Sequence, residues 1–397
     1  MARLTLLLVA LATVHTANGF VAAPVRLQAR QGTVGLARRP SDVRATALSA
    51  AAATAPVRAA AVPLLTQAGK LFGSLPLAAR CVSLASLLAL VVAWLQRKLW
   101  VPSRTYDREA NSVGREYDAW TREGILEYYW GEHIHLGYYN DEERAAGYKK
   151  KNFIQAKYDF IDEMAKWGQI DPLKPPAKIL DVGCGIGGTS RYLAKKFGPA
   201  TSVTGITLSS AQVERATQLA KERNIPNAQF QVMDALDLKF EDNSFDVVWA
   251  CESGEHMPDK KRYVEEMARV LKPGGRIVIA TWCQRDETRD TPFTQSERRM
   301  LDFLYSEWTH PYFISISDYR RLMLGTDKLK IVETADWVKP TLPSWRHSVW
   351  VGVFDPWPVV RRPYLWWKCL RDGVTLERMH RAFTDGLMQY GMMTATK

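Results

Sequence analysis

The sequence predicts an α/β fold in which a mostly parallel sheet is covered by helices on both faces. From residue 178 to residue 280, short apolar runs alternate with stretches of helical periodicity. The first apolar run is followed by a glycine-rich turn, residues 183–188, and then by a helix. Strands that alternate with helices at this spacing form parallel sheets, which bind ligands at the carboxyl ends of their strands, next to the first turn.

The elements of this fold follow one another along the chain, separated by turn residues. Apolar and β-branched runs predict five strands, over residues 178–182, 202–208, 230–232, 245–250 and 276–280. Helical periodicity predicts helices over residues 189–197, 209–223 and 260–270, and a tight turn is predicted at 272–275. Around this core, 178–282, we expect an N-terminal helical cap over 106–177, and a substrate-binding lid with the C-terminal part of the domain over 283–397.

The positive charge of the chain lies near its N-terminus. The 397 residues carry a net charge of +11, and their 47% hydrophobic and 24% charged content is typical of a globular protein. Residues 1–105 hold 12 Lys and Arg residues against one acid, Asp42, whereas the other 292 residues carry 41 of each sign. The folded part is therefore neutral, which argues against nucleic-acid binding. The five cysteines show no CxxC spacing, which excludes a disulfide scaffold and a zinc ribbon.

The first 74 residues have the composition of targeting segments. Residues 1–19 predict a signal peptide, because Arg3, an apolar run and small residues precede Phe20. Residues 20–74 are rich in Ala, Arg, Ser, Thr and Val, which is typical of a transit peptide. A signal peptide followed directly by a transit peptide resembles the bipartite presequences of algae with secondary plastids, and it implies a plastid protein. The alternative is a secreted protein with a disordered N-terminus.

Residues 75–105 predict a membrane anchor and a linker. The apolar stretch Cys81–Leu95 has basic residues on either side. As a helix it is about 22 Å long, which is short of a hydrocarbon core of about 30 Å unless Leu75–Ala79 extend it. The alternative is a hydrophobic patch of the targeting segment that is removed with it.

The glycine turn after the first strand has two interpretations. Gly183, Gly185 and Gly188 satisfy the GxGxxG spacing of dinucleotide-binding enzymes. Those enzymes hold the ribose of NAD with an acid at the end of the second strand, where this chain has Thr207. An acid two residues before the first glycine, here Asp181, instead resembles the class I methyltransferases that use S-adenosylmethionine. In that class the glycines let the backbone approach the methionine part of the cofactor, and the acid lies near its ammonium group.

Further blocks narrow this resemblance to one family. The sequences LDVGCGIGG, FEDNSFDVVW, ESGEHMPDK and KPGGRIVI resemble the tocopherol-methyltransferase family. The flanking stretches 117–139, 334–345 and 390–392 resemble its cyanobacterial-type branch, which acts on 2-methyl-6-phytyl-1,4-hydroquinone. The resemblance spans residues 106–397 and implies methylation of a ring carbon of a prenylated quinol in tocopherol or plastoquinone synthesis.

Three alternatives to this function stay open. The γ-tocopherol methyltransferases act on a closed chroman ring, and the ESGEH wording is nearer to theirs. A small-amine N-methyltransferase, of the sarcosine or phosphoethanolamine type, would share the core but would carry acids or aromatic cages for a cation and no membrane segment. A membrane-tethered protein that binds the cofactor without chemistry would need neither acid nor base beside it.

The resemblance implies a site for S-adenosylmethionine along the edge of the sheet. Asp234 follows the third strand, where the adenine would lie, and its carboxylate can accept a hydrogen bond from the exocyclic amine. The alternative role for Asp234 is a helix N-cap. Thr207 departs from the commonest pattern, which has an acid at the ribose. The implied cofactor-binding residues are Asp181, Gly183, Cys184, Gly185, Gly187, Ile206, Thr207, Gln212, Asp234 and Ala235.

Methylation of a quinol carbon needs a base but no metal. A neutral ring carbon is a poor nucleophile, and loss of the neighbouring phenolic proton, with a pKa of about 10, puts charge on the ring. The candidate catalytic residues follow the fourth strand or lie in the cap, and they are His256, Glu252, His135 and His133. The candidate substrate-binding residues are Tyr117, Tyr138, Glu255 and Trp345. For each histidine, the alternative is a structural, hydrogen-bonded role.

The C-terminal quarter of the chain holds seven of its 14 tryptophans. Over residues 349–370 they alternate with prolines and basic residues, which is typical of a bilayer interface. We therefore expect two partners, a prenylated quinol lipid and the surface of a plastid membrane. The alternative is a lid whose aromatic side chains are ordinary core residues.

Overall fold

The computed structural model describes residues 74–397. The predicted signal peptide and all but the last residue of the predicted transit peptide lie outside the described residues. The chain divides into two compact units, Met1–Leu88 and Ala89–Lys397. The described part of the first unit contains the beginning of one long helix, α1 (Leu77–Leu99). The sheet, the cavity and the helices that follow α1 belong to the second unit.

Helix α1 is apolar and exposed. None of its residues is buried, and its mean hydropathy reaches 2.0 over an 18-residue window. Among the described residues, α1 is the one helix that is long and apolar enough to cross a membrane, by length and composition alone. It is longer than the predicted apolar stretch because Leu77–Arg80 and Gln96–Leu99 continue the same helix.

The segment after α1 packs against C-terminal residues of the second unit. Arg104 forms an ion pair with Glu307 at 2.8 Å and a further ion pair with Asp372. The side chain of Arg378 donates a hydrogen bond to the carbonyl of Leu99 at 2.7 Å and lies over the ring of Trp100. These contacts fix residues 99–104 against the unit that contains the sheet.

Within residues 74–397, seven strands form one mixed sheet, with the order β3-β2-β1-β4-β5-β7-β6. The strands are β1 (Lys178–Val182), β2 (Ser202–Thr207), β3 (Ala228–Val232), β4 (Phe245–Cys251), β5 (Leu271–Gln284), β6 (Lys330–Asp336) and β7 (Met388–Thr396). The first five strands pair in parallel, whereas β7 runs antiparallel to both β5 and β6. The predicted mostly parallel sheet is confirmed, and all five predicted strands are present.

The fifth strand differs from its prediction. β5 begins at Leu271 and includes the predicted turn 272–275 as an irregularity, because Leu271 pairs with Phe245 and the next pair joins Arg276 to Val247. The turn hydrogen-bonds to the last residue of the chain, since the N–H of Gly274 donates to the carbonyl of Lys397 at 2.7 Å. The far end of β5 extends to Gln284, four residues beyond the prediction, because β7 pairs with it up to that point.

The helices of the second unit pack around the sheet. In chain order they are α2 (Ser112–Glu123), α3 (Ile125–Trp130), α4 (Asp141–Ala146), α5 (Phe153–Trp167), α6 (Gly188–Phe197), α7 (Ser210–Glu222), α8 (Lys260–Val270), α9 (Gln295–Tyr305), α10 (Ile316–Leu324), α11 (Val338–Thr341), α12 (Pro343–Phe354), α13 (Trp357–Val360) and α14 (Trp366–Thr384). The three predicted helices of the core, α6, α7 and α8, agree with their predictions to within one residue at each end.

Side chains on the two faces of the sheet form separate apolar cores. Ile179 packs with Phe160 and Leu193 on one face, whereas the next residue, Leu180, packs with Val264 and Met267 on the other. Successive side chains of a strand point to opposite faces, so a strand covered on both sides is apolar at every position. This arrangement leaves the carboxyl ends of the strands as the edge where polar groups gather.

Candidate active site

A cavity of about 280 Å³ opens at the carboxyl ends of β1, β2, β3 and β4. Two sets of residues line it. We call the lining residues within 181–189, 206–212, 233–236 and 251–258 the strand wall, because they follow the strands of the sheet. We call the lining residues within 106–135 the cap wall, because they come from the N-terminal cap.

Most of the residues predicted to bind the cofactor line this cavity. They are Asp181, Gly183, Cys184, Gly185, Ile206, Thr207, Gln212, Asp234 and Ala235. Gly187 is outside the lining: an added Cβ there would lie 2.4 Å from the ring of Phe230, so its missing side chain serves packing below the turn.

The glycine turn gives the strand wall a bare backbone. Gly183 has φ +83° and Gly185 has φ +55°, the left-handed region that favours glycine. An added Cβ on Gly183 would lie 2.3 Å from the Cβ of Ser253, so no side chain fits there. An added Cβ on Gly185 would meet only the side-chain nitrogen of Gln212, at 4.0 Å. The backbone at Gly185 is therefore open to a ligand that lies along the turn.

Asp181 lies beneath this turn at the end of β1. It is buried, and it accepts a hydrogen bond from the hydroxyl of Ser190 at 2.6 Å. Burial raises the pKa of Asp181 to about 6, and the Ser190 hydroxyl opposes that rise. A cationic group bound beside the turn would favour the ionised carboxylate.

Gln212 presents an unsatisfied donor to the cavity. Its carbonyl oxygen accepts a hydrogen bond from the hydroxyl of Thr207 at 2.7 Å. Its amide nitrogen is buried and has no hydrogen-bond partner among the described residues. A buried polar group without a partner is destabilising, so this nitrogen fits a ligand that brings an acceptor such as a ribose hydroxyl. The donor set at the second strand is thus Gln212 with Thr207, in place of the acid of the commonest pattern.

Asp234 closes the far end of the strand wall. One oxygen accepts a hydrogen bond from the N–H of Leu236 at 2.9 Å, and the other lies 3.8 Å from the guanidinium of Arg108. Residues 233–244 are turns, bends and irregular backbone, so Asp234 caps a turn and not a helix. Asp234 lines the cavity, so an adenine amine that bound its second oxygen would compete with Arg108.

Glu252 follows β4 and joins three segments. Its Oε1 accepts hydrogen bonds from the N–H of Leu136, at 2.7 Å, and from the hydroxyl of Tyr390, at 2.6 Å. Its backbone has φ +49°, a left-handed conformation that is uncommon outside glycine and that places the side chain at the cavity. Burial raises the pKa of Glu252, so the carboxyl group exchanges its proton closer to neutral pH than a free glutamate does.

His256 also lines the cavity, where it is engaged by the cap wall. Its Nε2 lies 3.0 Å from the hydroxyl of Tyr117, and its Nδ1 lies 3.5 Å from the carbonyl of Thr309. Its ring stacks on that of His310, with centroids 4.7 Å apart. Burial lowers the pKa of His256 to about 4, so the ring is neutral at physiological pH. Burial also raises the pKa of Tyr117, which is therefore a hydrogen-bond donor to His256.

His133 and His135 line the cavity side by side. The ring centroids of the two histidines are 5.4 Å apart. His133 Nδ1 lies 3.5 Å from the hydroxyl of Thr189, and burial lowers the pKa of His133. His135 Nδ1 donates to the carbonyl of Leu136 at 2.8 Å, whereas its Nε2 is buried and has no partner within residues 74–397.

The remaining three predicted substrate-binding residues lie away from the lining of the cavity. Tyr138 packs against Trp337, with ring centroids 5.6 Å apart. Trp345 is 1% exposed and packs against Trp282 in the core. Glu255 is buried and accepts a hydrogen bond from the hydroxyl of Thr281 at 2.7 Å. Burial and the carboxylate of Glu252 raise the pKa of Glu255. Substrate binding by these three residues stays a prediction.

Sequence reasoning missed much of the cap wall. The lining residues that it did not single out there include Tyr106, Asp107, Arg108, Asn111, Val113 and Gly114. They reach the cavity because Asp118 of α2 accepts hydrogen bonds from the hydroxyl of Ser209, at 2.5 Å, and from the N–H of Ala211. The sequence signal is slight: Asn111 caps α2 with its side chain, but nothing local says where α2 packs.

The lining therefore offers a bare glycine turn, the carboxylates of Asp181, Asp234 and Glu252, an unpaired amide donor and neutral imidazoles. Within residues 74–397, no group of three or more His, Cys, Asp or Glu side chains is placed to hold a metal ion. Such a site fits an extended ligand with a cationic end, hydroxyls and an exocyclic amine. S-Adenosylmethionine has these groups in that order, from its ammonium through its ribose to its adenine.

The chain resembles known methyltransferases over most of its length. A family described as a methyltransferase domain matches residues 179–275. The chain is 44% identical over 317 residues, 79% of this chain and 96% of the relative, to a 2-methyl-6-phytyl-1,4-hydroquinone methyltransferase of Synechocystis sp.. It is 37% identical over 302 residues, 70% of this chain and 82% of the relative, to the chloroplastic tocopherol O-methyltransferase of Arabidopsis thaliana.

A solved structure with low sequence identity shares the fold. The geranyl diphosphate C-methyltransferase from Streptomyces coelicolor A3(2), in complex with Mg²⁺, geranyl diphosphate and S-adenosyl-L-homocysteine, matches with a TM-score of 0.55 at 21% identity, covering 74% of this chain and 99% of that one. The nicotinamide interpretation of the glycine turn is therefore wrong, and the resemblance inferred from the sequence is confirmed. The chain belongs to the tocopherol-methyltransferase family of S-adenosylmethionine-dependent methyltransferases.

Proposed function

We propose that this enzyme transfers a methyl group from S-adenosylmethionine to a ring carbon of a prenylated hydroquinone, in tocopherol or plastoquinone biosynthesis. The observation that carries the proposal is the match with the Synechocystis hydroquinone enzyme, which is higher in identity and fuller in coverage than the match with the Arabidopsis tocopherol enzyme.

The strand wall is proposed to hold the cofactor. Asp181 and the turn at Gly183–Gly185 receive the methionine end, Gln212 and Thr207 the ribose, and Asp234 the adenine. Bound there, S-adenosylmethionine supplies an electrophilic methyl group on a positively charged sulfur. Binding of the adenine amine by Asp234 competes with Arg108, which lies 3.8 Å from the same carboxylate.

The groups that follow β4 are proposed to handle the phenolic proton. Glu252 lines the cavity, and burial raises its pKa toward the range in which a carboxylate accepts a proton at neutral pH. The Leu136 N–H and the Tyr390 hydroxyl hold its Oε1 in place. Tyr117 and His256 lie hydrogen-bonded to each other on the same lining, where they close the site between the cap and the strand end.

The substrate proposal is tested by labelled methyl transfer in detergent. The full chain is incubated with radiolabelled S-adenosylmethionine and one acceptor at a time: 2-methyl-6-phytyl-1,4-hydroquinone, γ-tocopherol or sarcosine. We expect label in the hydroquinone. Label only in γ-tocopherol would assign the chromanol activity instead, and label only in sarcosine would assign an amine N-methyltransferase.

A variant with a blocked cofactor site serves as the control. Gly185→Leu fills the open side of the turn and also strains a residue at φ +55°. This variant should transfer no label to any acceptor, whereas label that persists would come from a contaminating enzyme.

We further propose that the protein is a plastid protein held at a membrane by α1. The helix has 23 residues and is about 34 Å long, enough to cross a hydrocarbon core of about 30 Å. Arg97 and Lys98 lie in its last turn, where they suit the interface with water. The location in a plastid is supported by the name of the Arabidopsis relative, which is chloroplastic, and by the transit-peptide composition of residues 20–74.

The C-terminal aromatic residues support the same membrane proposal. Phe354, Trp357, Tyr364 and Trp367 are 68%, 60%, 74% and 40% exposed, respectively. Exposed aromatic side chains beside arginines suit the interface between lipid and water. By contrast, Trp345 of the same quarter is a core residue. The membrane-interface interpretation therefore applies to the exposed tryptophans, and the core interpretation applies to Trp345.

Vesicle flotation separates the two proposed membrane contacts. The full chain should float with vesicles of galactolipid and anionic lipid. Replacing Leu84 and Leu88 of α1 with Arg should leave a weaker, salt-sensitive binding, which a further Trp357→Ser replacement should remove. Unchanged flotation of the Arg variant would contradict anchoring by α1, and an unchanged result after Trp357→Ser would contradict the aromatic contact.

A further inference from the structure

We propose that Nε2 of His135 is the fixed acceptor that binds a ring hydroxyl of the hydroquinone. This inference rests on the proposed function and deepens it, because it assigns the atom that recognises the substrate's hydroxyl group.

The tautomer of His135 follows from the hydrogen bond of its Nδ1. Its Nδ1 lies 2.8 Å from the carbonyl oxygen of Leu136. A carbonyl oxygen only accepts, so Nδ1 must carry the proton in that contact. In a neutral imidazole the other nitrogen, Nε2, is then a pure acceptor. It can bind a hydroxyl, but it cannot donate to an ether or carbonyl oxygen.

The surroundings of His135 keep its ring neutral. The side chain is 4% exposed, and the buried ammonium of Lys157 donates to the carbonyl of His135 at 2.5 Å. Burial, together with the charge of Lys157, lowers the pKa of His135 to about 3. Other titratable groups nearby include His133, whose pKa is also lowered by burial, and Glu252, which reaches this segment through the N–H of Leu136. His135 is therefore a hydrogen-bond acceptor and not the base of the reaction.

Nε2 of His135 differs from the ring nitrogens of His256 in having no hydrogen-bond partner among the described residues. Both nitrogens of His256 lie within 3.5 Å of protein oxygens, whereas Nε2 of His135 is buried without a partner in the described part of the chain. His135 lines the cavity. A buried acceptor that is left unsatisfied is destabilising, and a hydroxyl placed there removes that cost.

The position of His135 favours the substrate over the cofactor as its partner. The cofactor groups are matched by residues of the strand wall, which follow β1, β2 and β3. His135 belongs to the cap wall and is held against the end of β4, because the next residue, Leu136, bonds to Glu252. A hydroxyl bound by Nε2 of His135 would therefore lie in the same cavity as the carboxylate that is proposed to take the phenolic proton.

The test measures how well the site distinguishes hydroquinones that keep or lack a ring hydroxyl. Calorimetry in the presence of S-adenosylhomocysteine gives the affinity of the full chain, in detergent, for 2-methyl-6-phytyl-1,4-hydroquinone and for two monophenols that each lack one hydroxyl. For one of the two monophenols, we expect the wild type to bind about 5- to 150-fold more weakly, the cost of an unsatisfied buried acceptor.

His135→Phe should reduce this discrimination to nearly one, because phenylalanine keeps the ring but has no acceptor. His135→Gln, which restores an acceptor oxygen, should recover part of it. The matched control is His347→Phe, a buried histidine that bonds to Tyr139 away from the cavity. The control should keep the full discrimination of the wild type.

Two results would overturn the proposal. One is an unchanged discrimination in a folded His135→Phe variant. If the Phe variant does not fold, the contradicting result is that the wild type and His135→Gln each bind the two monophenols with equal affinity. The other is a loss of affinity for S-adenosylhomocysteine in place of the loss of discrimination, which would assign Nε2 to the cofactor. A wild type that binds these phenols but methylates none of them would contradict the proposed function. The affinities of the His135 variants would still decide whether Nε2 of His135 binds the hydroxyl.

Discussion

The strand wall and the cap wall of the cavity differ in the sequence separation between the residues that hydrogen-bond within them. The strand wall uses bare backbone and short-range contacts, such as Ser190 with Asp181 and Thr207 with Gln212. The cap wall is held by long-range bonds, Tyr117 to His256 and Leu136 to Glu252. The proposed cofactor site is therefore a local feature of the βαβ unit, whereas the proposed substrate side exists only after distant segments have packed together.

The largest effect is expected where the two walls meet, at Glu252. Glu252→Gln keeps an oxygen for the N–H of Leu136 but cannot accept a proton. We expect kcat to fall about 10²- to 10⁴-fold, with cofactor affinity unchanged. Burial raises the pKa of Glu252, so the wild-type kcat should fall as the pH is lowered through that pKa. The variant should not show this fall at low pH. Steady-state kinetics against pH and calorimetry with the cofactor measure both.

Another buried carboxylate provides the control for Glu252. Glu266 bonds to the N–H of Leu238 and to Arg269, outside the cavity. Glu266→Gln should lower stability and leave kcat unchanged. An equal loss of kcat in the two variants would show that the effect of Glu252→Gln is structural.

The next largest effect tests the bare backbone of the strand wall. Gly183→Ala adds a Cβ at φ +83° and 2.3 Å from the Cβ of Ser253. Gly274→Ala adds the same atom at φ +79° with nothing within 4 Å. Both should lose about 1–2 kcal/mol from left-handed strain. Gly183→Ala should lose about 1–3 kcal/mol more from the close contact.

Chemical denaturation and calorimetry separate the two glycine variants. Gly183→Ala should also weaken cofactor binding, because the turn must shift to accept the new atom, whereas Gly274→Ala should bind normally. Equal stabilities and equal affinities would mean that the close approach at Gly183 does not shape the cofactor site.

A smaller effect is expected from a bond between the walls. Tyr117→Phe removes the hydroxyl that lies 3.0 Å from Nε2 of His256. A neutral hydrogen bond contributes about 0.5–1.5 kcal/mol, so kcat/KM should fall about 2- to 12-fold. Tyr128→Phe removes an exposed hydroxyl that bonds to Asp355, and it should change kcat/KM by less. Kinetics that rank the two variants in the opposite order would contradict a role of this bond in closing the cavity.

The smallest effect is expected at Asp181, where cofactor binding should release a fraction of a proton. Burial raises the pKa of its carboxyl group to about 6 in the ligand-free protein, and a bound cation favours the ionised form. Near pH 6, where about half of the Asp181 carboxyl groups carry a proton, cofactor binding should therefore release up to about half a proton, and the release should vanish well above that pH. Calorimetry in buffers of different ionisation enthalpy measures it. Asp181→Asn should abolish the release, and a release that persists in that variant would have another source.

The sequence predicted the strand wall better than the cap wall for a physical reason. Asp181 lies at the end of β1, the turn at Gly183 follows it directly, and Asp234 lies two residues after β3, so the strand ends fix where these residues lie. The cap residues that line the cavity, Arg108 and Asn111 among them, have no such local reference. Their position depends on the bonds of Asp118 to α7.

The last two strands show the same limit on a larger scale. β7 carries Tyr390, whose hydroxyl holds Glu252, but it lies between β5 and β6 in the sheet although it ends the chain. An antiparallel partner that arrives about 100 residues after β5 leaves no trace in local periodicity. The resemblance of residues 390–392 to a known family marked this segment without saying where it lies.

The amino-acid sequence by itself determined the parallel core, the glycine turn and the family, because strand, turn and helix propensities act between neighbours in the chain. Only the tertiary structure decided which ring nitrogens face the cavity with no partner, which carboxylates are buried and which tryptophans are exposed. Those properties depend on burial and on hydrogen-bond partners more than 100 residues away, which no short-range pattern encodes.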